Sequence, residues 1–269
     1  MPHLSTAGAD IHWIEFGNPN GAPIIFAHTM AANAGIWQPT CEALDAAQDC
    51  RLIAYDLRGH GKSGLPSGRT TMGAMIRDAE QLLEALEVRD AVFVGQGIGG
   101  MIAQGLAVKR LDLVRGLVLV NTAARLCTKS HWANQIERLR NGHSGTVLQE
   151  LWNGWFSRAH RNSPEATDWQ EMLRNVNLDG LSGAMDAISG TDFYTPISGL
   201  RLPTLGISAY NDLLFPPDLM RETVDVIPGS EFQLMPRVGH MSMLEAPEDF
   251  AMRLDGFLTR IGHRIRPDA

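Results

Sequence analysis

The sequence has few cysteines and a deficit of positive charge. Its 269 residues include three cysteines, Cys41, Cys50 and Cys127, an odd number without the spacing of a metal site or a redox pair. We therefore expect buried, reduced thiols and no bound metal. Lysine and arginine together number 23, against 30 aspartate and glutamate residues, and no basic block occurs. A nucleic-acid partner consequently has no electrostatic support.

Long apolar runs are also absent from the sequence. The longest, such as Leu117 to Val120, are far too short to span a lipid bilayer, so we expect no membrane partner. The first six residues lack the basic start and the apolar stretch of a secretory signal, and we expect a cytoplasmic protein. The sequence does not indicate an oligomeric state.

What the sequence does contain is a regular alternation of strand and helix patterns. Short, continuous apolar runs are typical of parallel strands that are covered on both faces. Apolar residues at helical spacing between residues 71 and 86 indicate an amphipathic helix. This alternation predicts an α/β fold with a mostly parallel, doubly wound sheet. The predicted strands cover residues 11–15, 23–27, 51–55, 92–94, 117–120, 204–208 and 230–235, and a final helix covers 247–260.

Residues 125–198 interrupt this alternation. The segment is predicted to form consecutive helices without a strand, and it is rich in aromatic residues. An all-helical insertion between two strands indicates a cap over an active site, whereas the alternative is a set of extra helices packed on the core. We therefore divide the chain into a core of residues 1–124 and 199–269 and a helical cap of residues 125–198. The aromatic residues are Trp132, Trp152, Trp155, Phe156, Trp169, Phe193 and Tyr194.

A tight turn after the fourth apolar run has the form of a nucleophile elbow. Residues 91–103 combine a β-branched run, a turn of small residues and the start of a helix. In the G-x-S-x-G form of this turn the middle residue is the nucleophilic serine. Here the middle residue is Gly97, which has no side chain that could attack a carbonyl group.

Three further segments carry the polar residues that accompany such an elbow. His28-Thr29-Met30 follows a predicted strand, and residues 55–63 read Y-D-L-R-G-H-G-K-S. The second of these lacks the full spacing of a phosphate-binding loop. Asp212 follows a late strand, and His240 comes after Gly239 near the end of the chain. The chain order nucleophile, acid, histidine is the order of a known class of catalytic triad.

Taken together, the four segments resemble the α/β-hydrolase family over nearly the whole chain. Residues 121–125, 35–37 and 239–247 resemble the β-ketoadipate enol-lactone hydrolases within it. The resemblance implies that His240 is a general base oriented by Asp212. It further implies that the backbone N–H groups of Met30 and Ile98 form an oxyanion hole. The chain departs from the family pattern at Gly97, where the nucleophilic serine is expected, and at Thr29 and Ala209, where glycine is usual.

Gly97 leaves three interpretations open. In the first, which we prefer, water or the substrate itself replaces the serine, and His240 acts as a general base without a covalent intermediate. In the second, the chain is a serine esterase or lactonase that was disabled by a change from serine to glycine at position 97. In the third, the chain is a non-catalytic binder or receptor that keeps the pocket. Other hydroxyl and thiol groups are near the proposed site, but none occupies the elbow: Ser208, Ser242, Thr29 and Cys127.

The resemblance also predicts the class of ligand. We expect an enzyme that acts on a small carbonyl compound, namely a lactone, an enol lactone, an ester or a β-diketone, with cleavage of an ester or a C–C bond. Because no metal-ligand cluster and no nucleotide motif occur, we expect no cofactor. The residues predicted to contact the substrate are Thr29, Gln96, Arg125 and Trp132. Arg125 has the alternative role of tying the cap to the core.

Overall fold

The computed structural model describes residues 2–6, 8–65 and 68–264. In these residues eight strands form one sheet in the order β1-β2-β4-β3-β5-β6-β7-β8. Strands β3 to β8 pair with one another in parallel. At one edge, β2 pairs antiparallel with β4, and β1 pairs antiparallel with β2. The predicted α/β class with a mostly parallel sheet is therefore confirmed. The strands are β1 (His3–Ser5), β2 (Asp10–Gly17), β3 (Ala22–Ala27), β4 (Cys50–Tyr55), β5 (Ala91–Gln96), β6 (Val114–Val120), β7 (Thr204–Ala209) and β8 (Glu231–Met235).

Helices cover both faces of the sheet, which explains why the central strands are apolar throughout. Every residue of β5 and β7 is buried, as expected for parallel strands between two helical layers. The helices are α1 (Gln38–Ala43), α2 (Met72–Ala85), α3 (Ile98–Lys109), α4 (Lys129–Arg140), α5 (Ser144–Trp155), α6 (Ala166–Arg174), α7 (Leu178–Ser189), α8 (Tyr194–Ser198), α9 (Pro217–Asp225), α10 (Ser242–Glu245) and α11 (Pro247–Arg260). Short 3-10 helices cover Ala34–Trp37, Asp45–Gln48 and His160–Asn162.

Helix α3 packs unusually close to the sheet at its first turn. A Cβ atom at Gly99 would lie 2.3 Å from the carbonyl oxygen of Ala27 on β3, so only glycine permits this approach. The close contact brings the end of β3 next to the start of α3. The elbow at Gly97 and the loop after β3 therefore lie side by side.

The segment between β6 and β7 contains the helices α4 to α8 and, within its described residues, no strand. Helices α4 and α5 place Trp132 and Leu151 in the same small cavity as Met30, which belongs to the loop after β3. The loop and the helical segment thus enclose a common space beside the ends of the parallel strands.

Most expected elements appear in the structure with shifted ends. Helix α11 coincides with the predicted range 247–260, and α2 is shorter by one residue at each end than the predicted 71–86. Strand β1 was not predicted, because three residues at a sheet edge carry no apolar pattern. The expectation of three buried thiols is wrong for Cys127, which is exposed, whereas Cys41 and Cys50 are buried and unpaired. Burial raises the pKa of the Cys50 thiol to about 11.

Candidate active site

His240 and Asp212 form a buried pair at the ends of two neighbouring strands. Asp212 follows β7, His240 follows β8, and the imidazole Nδ1 lies 2.8 Å from Asp212 Oδ2. The other carboxylate oxygen accepts hydrogen bonds from the backbone N–H groups of Leu214 and Phe215, at 2.8 and 3.0 Å. The Phe215 ring stacks on the imidazole at a centroid distance of 5.3 Å. With Nδ1–H donated to the carboxylate, Nε2 is left as a hydrogen-bond acceptor.

Gly97 adopts the sharp backbone conformation of an elbow between β5 and α3. Its φ and ψ angles are 55° and −119°, a region that glycine tolerates far better than other residues. Its N–H donates to Val120 O at 3.1 Å, and its carbonyl accepts from Thr122 Oγ1 at 2.5 Å. The turn is therefore held by backbone and neighbouring groups, and its geometry does not require a side chain at position 97.

Thr29 occupies the space that a side chain at the elbow would need. A Cβ atom built on Gly97 would lie 2.3 Å from Thr29 Oγ1 and 3.0 Å from Thr29 Cβ. The same hydroxyl lies 3.1 Å from His240 Nε2. In the sequence, the departures at positions 29 and 97 are separate features. The structure shows that they meet at one point.

Two backbone N–H groups beside this point have no protein partner. In the described part of the chain, neither Met30 N–H nor Ile98 N–H donates a hydrogen bond. Ile98 is the first residue of α3, where the helix offers no acceptor to the amide. Both residues are buried. Unpaired, buried donors of this kind are what an oxyanion hole requires.

His28 fixes the direction of the Met30 amide. Its Nδ1–H donates to Thr29 O at 2.6 Å, and its Nε2 accepts from Leu57 N–H at 2.9 Å. Because the C=O and N–H of a trans peptide point in opposite directions, anchoring Thr29 O also orients Met30 N–H. Burial, and secondarily the nearby His60, lowers the pKa of His28 to about 4, so the ring is neutral near neutral pH.

Two side-chain amides hold the backbone of His240. Gln96 Nε2 and Asn121 Nδ2 donate to the His240 carbonyl oxygen at 2.8 and 2.7 Å. Asn121 Oδ1 also accepts from Ala209 N–H at 2.8 Å, which links the ends of β6 and β7 to the histidine loop. Gln96 was predicted to contact substrate, and the structure uses its amide group on His240. Asn121 was missed as a site residue, although it is the first residue after β6.

Met30 also lines a cavity of about 140 Å³. Trp132, predicted to contact substrate, is one of its lining residues. Arg125 is not brought to this cavity: its guanidinium pairs with Asp192 at 3.2 Å on the surface. Both partners belong to residues 125–198, so this pair does not tie the helical segment to the core. The cavity is lined by Met30, His131, Trp132, Gln135, Val147, Glu150, Leu151, Met185 and Leu214.

The turn formed by residues 55–63 is built around a second buried carboxylate. Asp56 Oδ1 accepts from Ala34 N–H at 2.7 Å, and Oδ2 accepts from Lys62 N–H at 2.8 Å. Asp56 Oδ2 also lies 2.8 Å from His12 Nδ1. Arg58 forms a bidentate pair with Asp78 of α2. The turn therefore encloses an anion of its own, which argues against a role in phosphate binding.

The described residues contain neither a metal-ligand cluster nor a membrane-spanning helix. In residues 2–6, 8–65 and 68–264, no group of three or more histidine, cysteine, aspartate or glutamate side chains is arranged to hold a metal ion. Among the helices in those ranges, none is both long and apolar enough to cross a membrane.

Comparison with known proteins identifies the family. Residues 22–247 match the family model of the alpha/beta hydrolase fold. The chain belongs to the α/β-hydrolase fold family. Among curated relatives of this α/β-hydrolase, 3-oxoadipate enol-lactonase 1 of Acinetobacter baylyi is 25% identical, over 92% of this chain and 93% of the relative. The resemblance to enol-lactone hydrolases expected from the sequence is thus confirmed.

Solved structures agree with this assignment. A hydrolase from Pseudomonas aeruginosa PA01 superposes with a TM-score of 0.90 at 28% identity, covering 96% of this α/β-hydrolase and 97% of that chain. The enol-lactonase from Burkholderia xenovorans LB400 superposes with a TM-score of 0.89 at 25% identity, covering 96% and 100%. The likeness to each of these structures covers 96% of this chain.

Proposed function

We propose that this α/β-hydrolase is an enzyme that hydrolyses a small ester or lactone at the site formed by His240 and Asp212. The observation that carries the proposal is the buried His240 imidazole, which is paired with Asp212 and whose Nε2 lies 3.1 Å from the Thr29 hydroxyl beside the elbow. Met30 and Ile98 supply two unpaired N–H groups beside it. A base and an oxyanion hole are the two components that acyl transfer requires in addition to an attacking oxygen.

The chemistry at these residues is general-base catalysis. His240 Nε2 takes a proton from the attacking oxygen, and Asp212 stabilises the resulting imidazolium through Nδ1. The Met30 and Ile98 amides bind the negative charge that develops on the carbonyl oxygen. Because the site is buried, these interactions act in a medium of low polarity, where they are stronger than in water.

The cavity supports a small substrate. Its volume of about 140 Å³ suits a short acyl chain or a small lactone ring, and its apolar residues include Trp132 and Leu214. We propose that residues 125–198 form a cap that supplies this wall. The similarity to enol-lactonases supports a lactone over other carbonyl compounds.

The contact between Thr29 and the elbow argues against a disabled serine enzyme. Any side chain at position 97 would collide with the Thr29 hydroxyl, so a serine there does not fit the surrounding residues as they stand. The ordered His240–Asp212 pair and the unpaired amides argue against a non-catalytic binder, because such a protein has no use for donors left without partners.

The test is hydrolysis of a panel of aryl esters, simple lactones and enol lactones by three purified proteins. The wild type should hydrolyse at least one compound, and His240→Ala should lower kcat/KM by at least about 1,000-fold. His12→Ala serves as a matched control, because His12 belongs to the other buried pair, with Asp56. The control should keep its activity. The proposal is wrong if no compound is hydrolysed above the buffer rate, or if His240→Ala is as active as the wild type.

A further inference from the structure

The sheet places Thr29 directly opposite Gly97. Strands β3 and β5 are parallel neighbours, and Ala27 pairs with Gly95 in their register. Two residues further along each strand direction lie Thr29 and Gly97. The Thr29 side chain therefore lies against the elbow. It occupies the space that a side chain at position 97 would fill.

We propose that Thr29 is the catalytic nucleophile and that its Oγ1 replaces the serine oxygen expected at position 97. The inference rests on the proposed function, because it names the attacking oxygen of that reaction. Its basis is the 3.1 Å separation of Thr29 Oγ1 from His240 Nε2. A hydroxyl in hydrogen-bond contact with a histidine that is oriented by a carboxylate is the arrangement of an activated nucleophile.

The position of Thr29 relative to the oxyanion amides supports this role. In a serine elbow, the amide of the residue after the nucleophile is one of the oxyanion donors. Met30 N–H has this relation to Thr29, while Ile98 N–H keeps its place at the start of α3. The His28 contact that orients Met30 N–H also fixes the backbone of Thr29. One set of hydrogen bonds thus positions a donor and the attacking residue.

The side chain itself is preorganised. Thr29 is 1% exposed, so its packing leaves little room for rotation. A β-branched side chain has few accessible χ1 rotamers, which further restricts the hydroxyl. Of the four alternative groups considered from the sequence, Thr29 alone contacts His240 Nε2 in the described part of the chain. Within the described residues, Ser208 Oγ has no partner, Ser242 Oγ lies 3.5 Å from Asn121 Nδ2, and Cys127 is exposed.

The reaction then proceeds in two steps, acylation of Thr29 and hydrolysis of the acyl-enzyme. Thr29 Oγ1 forms a bond to the carbonyl carbon, and the bond from that carbon to the leaving oxygen breaks. The hydroxyl proton passes to His240 Nε2 and from there to the leaving oxygen. Water next gives a proton to His240 and attacks the acyl carbon, and Thr29 recovers its hydrogen as the acid departs. In a lactone the leaving oxygen stays in the same molecule as the product.

A direct attack by water is less well supported by the contacts. The Thr29 hydroxyl already holds the Nε2 atom that would have to activate the water. A water-based mechanism requires this contact to break, or requires Thr29 to relay the proton. In both cases no ester bond to Thr29 forms during turnover. An experiment that traps a covalent adduct on Thr29 therefore separates a water-based mechanism from nucleophilic attack by Thr29.

The experiment combines two variants at Thr29 with a covalent probe. Thr29→Val removes the hydroxyl at nearly constant volume, and Thr29→Ser keeps it. Kinetics use the best ester or lactone of the panel, and diisopropyl fluorophosphate is the probe, with its adduct located by peptide mass spectrometry. We expect Thr29→Val to lose at least about 1,000-fold in kcat/KM and Thr29→Ser to stay within about tenfold of the wild type. The probe should modify Thr29 in the wild type, and neither Thr29→Val nor His240→Ala should be labelled.

A double variant keeps the test decisive if Thr29→Val folds poorly. In Thr29→Gly/Gly97→Ser the hydroxyl moves back to the elbow, and the adduct should move from position 29 to position 97. Gly97→Ser alone should gain no activity, because Thr29 still occupies the space. The inference is overturned if folded Thr29→Val remains within about tenfold of the wild type, or if no adduct forms on Thr29. If His240→Ala is inactive in that case, the proposed function stands while the nucleophile is a water molecule.

Discussion

Two buried histidine–aspartate pairs lie in this molecule with the same contact distance. His240–Asp212 and His12–Asp56 each have an Nδ1 to Oδ2 separation of 2.8 Å, and each joins neighbouring strands of the sheet. They differ at the other nitrogen of the ring. His240 Nε2 meets the Thr29 hydroxyl, whereas His12 Nε2 has no partner among the described residues.

The surroundings of the two carboxylates differ as well. Asp56 accepts backbone hydrogen bonds on both oxygens and closes the turn of residues 55–63. Asp212 accepts backbone bonds on one oxygen and leaves the other to the histidine. Of the two pairs, only His240–Asp212 combines a hydroxyl group on the second imidazole nitrogen with unpaired N–H groups beside that hydroxyl.

Replacing each aspartate by asparagine should give the largest contrast. Asp212→Asn places an NH2 or a weaker acceptor against His240 Nδ1, which favours the wrong tautomer, and kcat should fall by about 1,000- to 10,000-fold. Asp56→Asn should leave kcat nearly unchanged and instead lower the free energy of unfolding by about 3 kcal/mol, because the buried contact with His12 and a backbone hydrogen bond are lost.

Kinetics and urea unfolding of both variants measure this contrast. Each variant is the control for the other, since the side chains and the substitution are the same. Equal losses of kcat in the two variants would show that the pairs are not functionally distinct.

Substitution at the elbow should have the next largest effect. Gly97→Ala puts a Cβ atom at a positive φ and within 2.3 Å of Thr29 Oγ1, so we expect a loss of about 3 kcal/mol in the free energy of unfolding. Gly142→Ala is the matched control, because Gly142 also has a positive φ but has no atom within 4 Å of the added Cβ. It should lose only about 1 kcal/mol.

The same experiment in a Thr29→Gly background isolates the collision. There, the cost of Gly97→Ala should fall to that of the Gly142 control. An unchanged cost would mean that Thr29 does not occupy the space at the elbow.

The pH dependence of stability tests the region between the two pairs, where His28 lies. The pKa of His28 is about 4 in the folded protein and about 6.5 in the unfolded chain, so the unfolded state binds more protons between these values. Stability should therefore fall as the pH drops from 6.5 towards 4, by roughly 2 kcal/mol at pH 5 from this residue. His60, whose pKa is also lowered by burial, acts in the same direction.

Urea unfolding of the wild type and of His28→Gln at pH 7 and pH 5 measures this term. The variant should show a smaller loss between the two pH values, with the remaining loss due to His60 and other groups. A wild type that is equally stable at both values would contradict the assignment of a neutral, buried His28.

Loosening the backbone of His240 should have the smallest effect. Asn121→Ala removes one of the two amides that hold the His240 carbonyl, and Gln96 keeps the other. We expect kcat to fall about tenfold with little change in KM, because the base is slightly misplaced rather than lost. Kinetics of Asn121→Ala and Gln96→Ala check this. A change in KM alone would indicate substrate contact, which was the role predicted for Gln96.

Some features of the candidate site could be predicted from the sequence, and others could not. Motifs at the ends of predicted strands pointed to His240 and Asp212, which the structure places in contact, and to Met30 and Ile98, whose N–H groups are unpaired in the described part of the chain. The sequence did not reveal that Gln96 donates to the His240 carbonyl or that Arg125 pairs with Asp192, because composition and position do not show which side-chain hydrogen bonds a residue makes. It also treated Thr29 as one of several hydroxyl groups near the site, with no means of ranking them.

The sequence by itself determined the class of the fold and the absence of the serine expected at the elbow. Buried parallel strands must be apolar on both faces, so their runs are visible in the chain, and a missing serine is visible as Gly97. Only the tertiary structure decided that Thr29 contacts both Gly97 and His240. Thr29 and His240 are 211 residues apart along the chain. The reason is that contact between parallel strands depends on their order and register in the sheet. The β3–β5 register brings Thr29 next to Gly97.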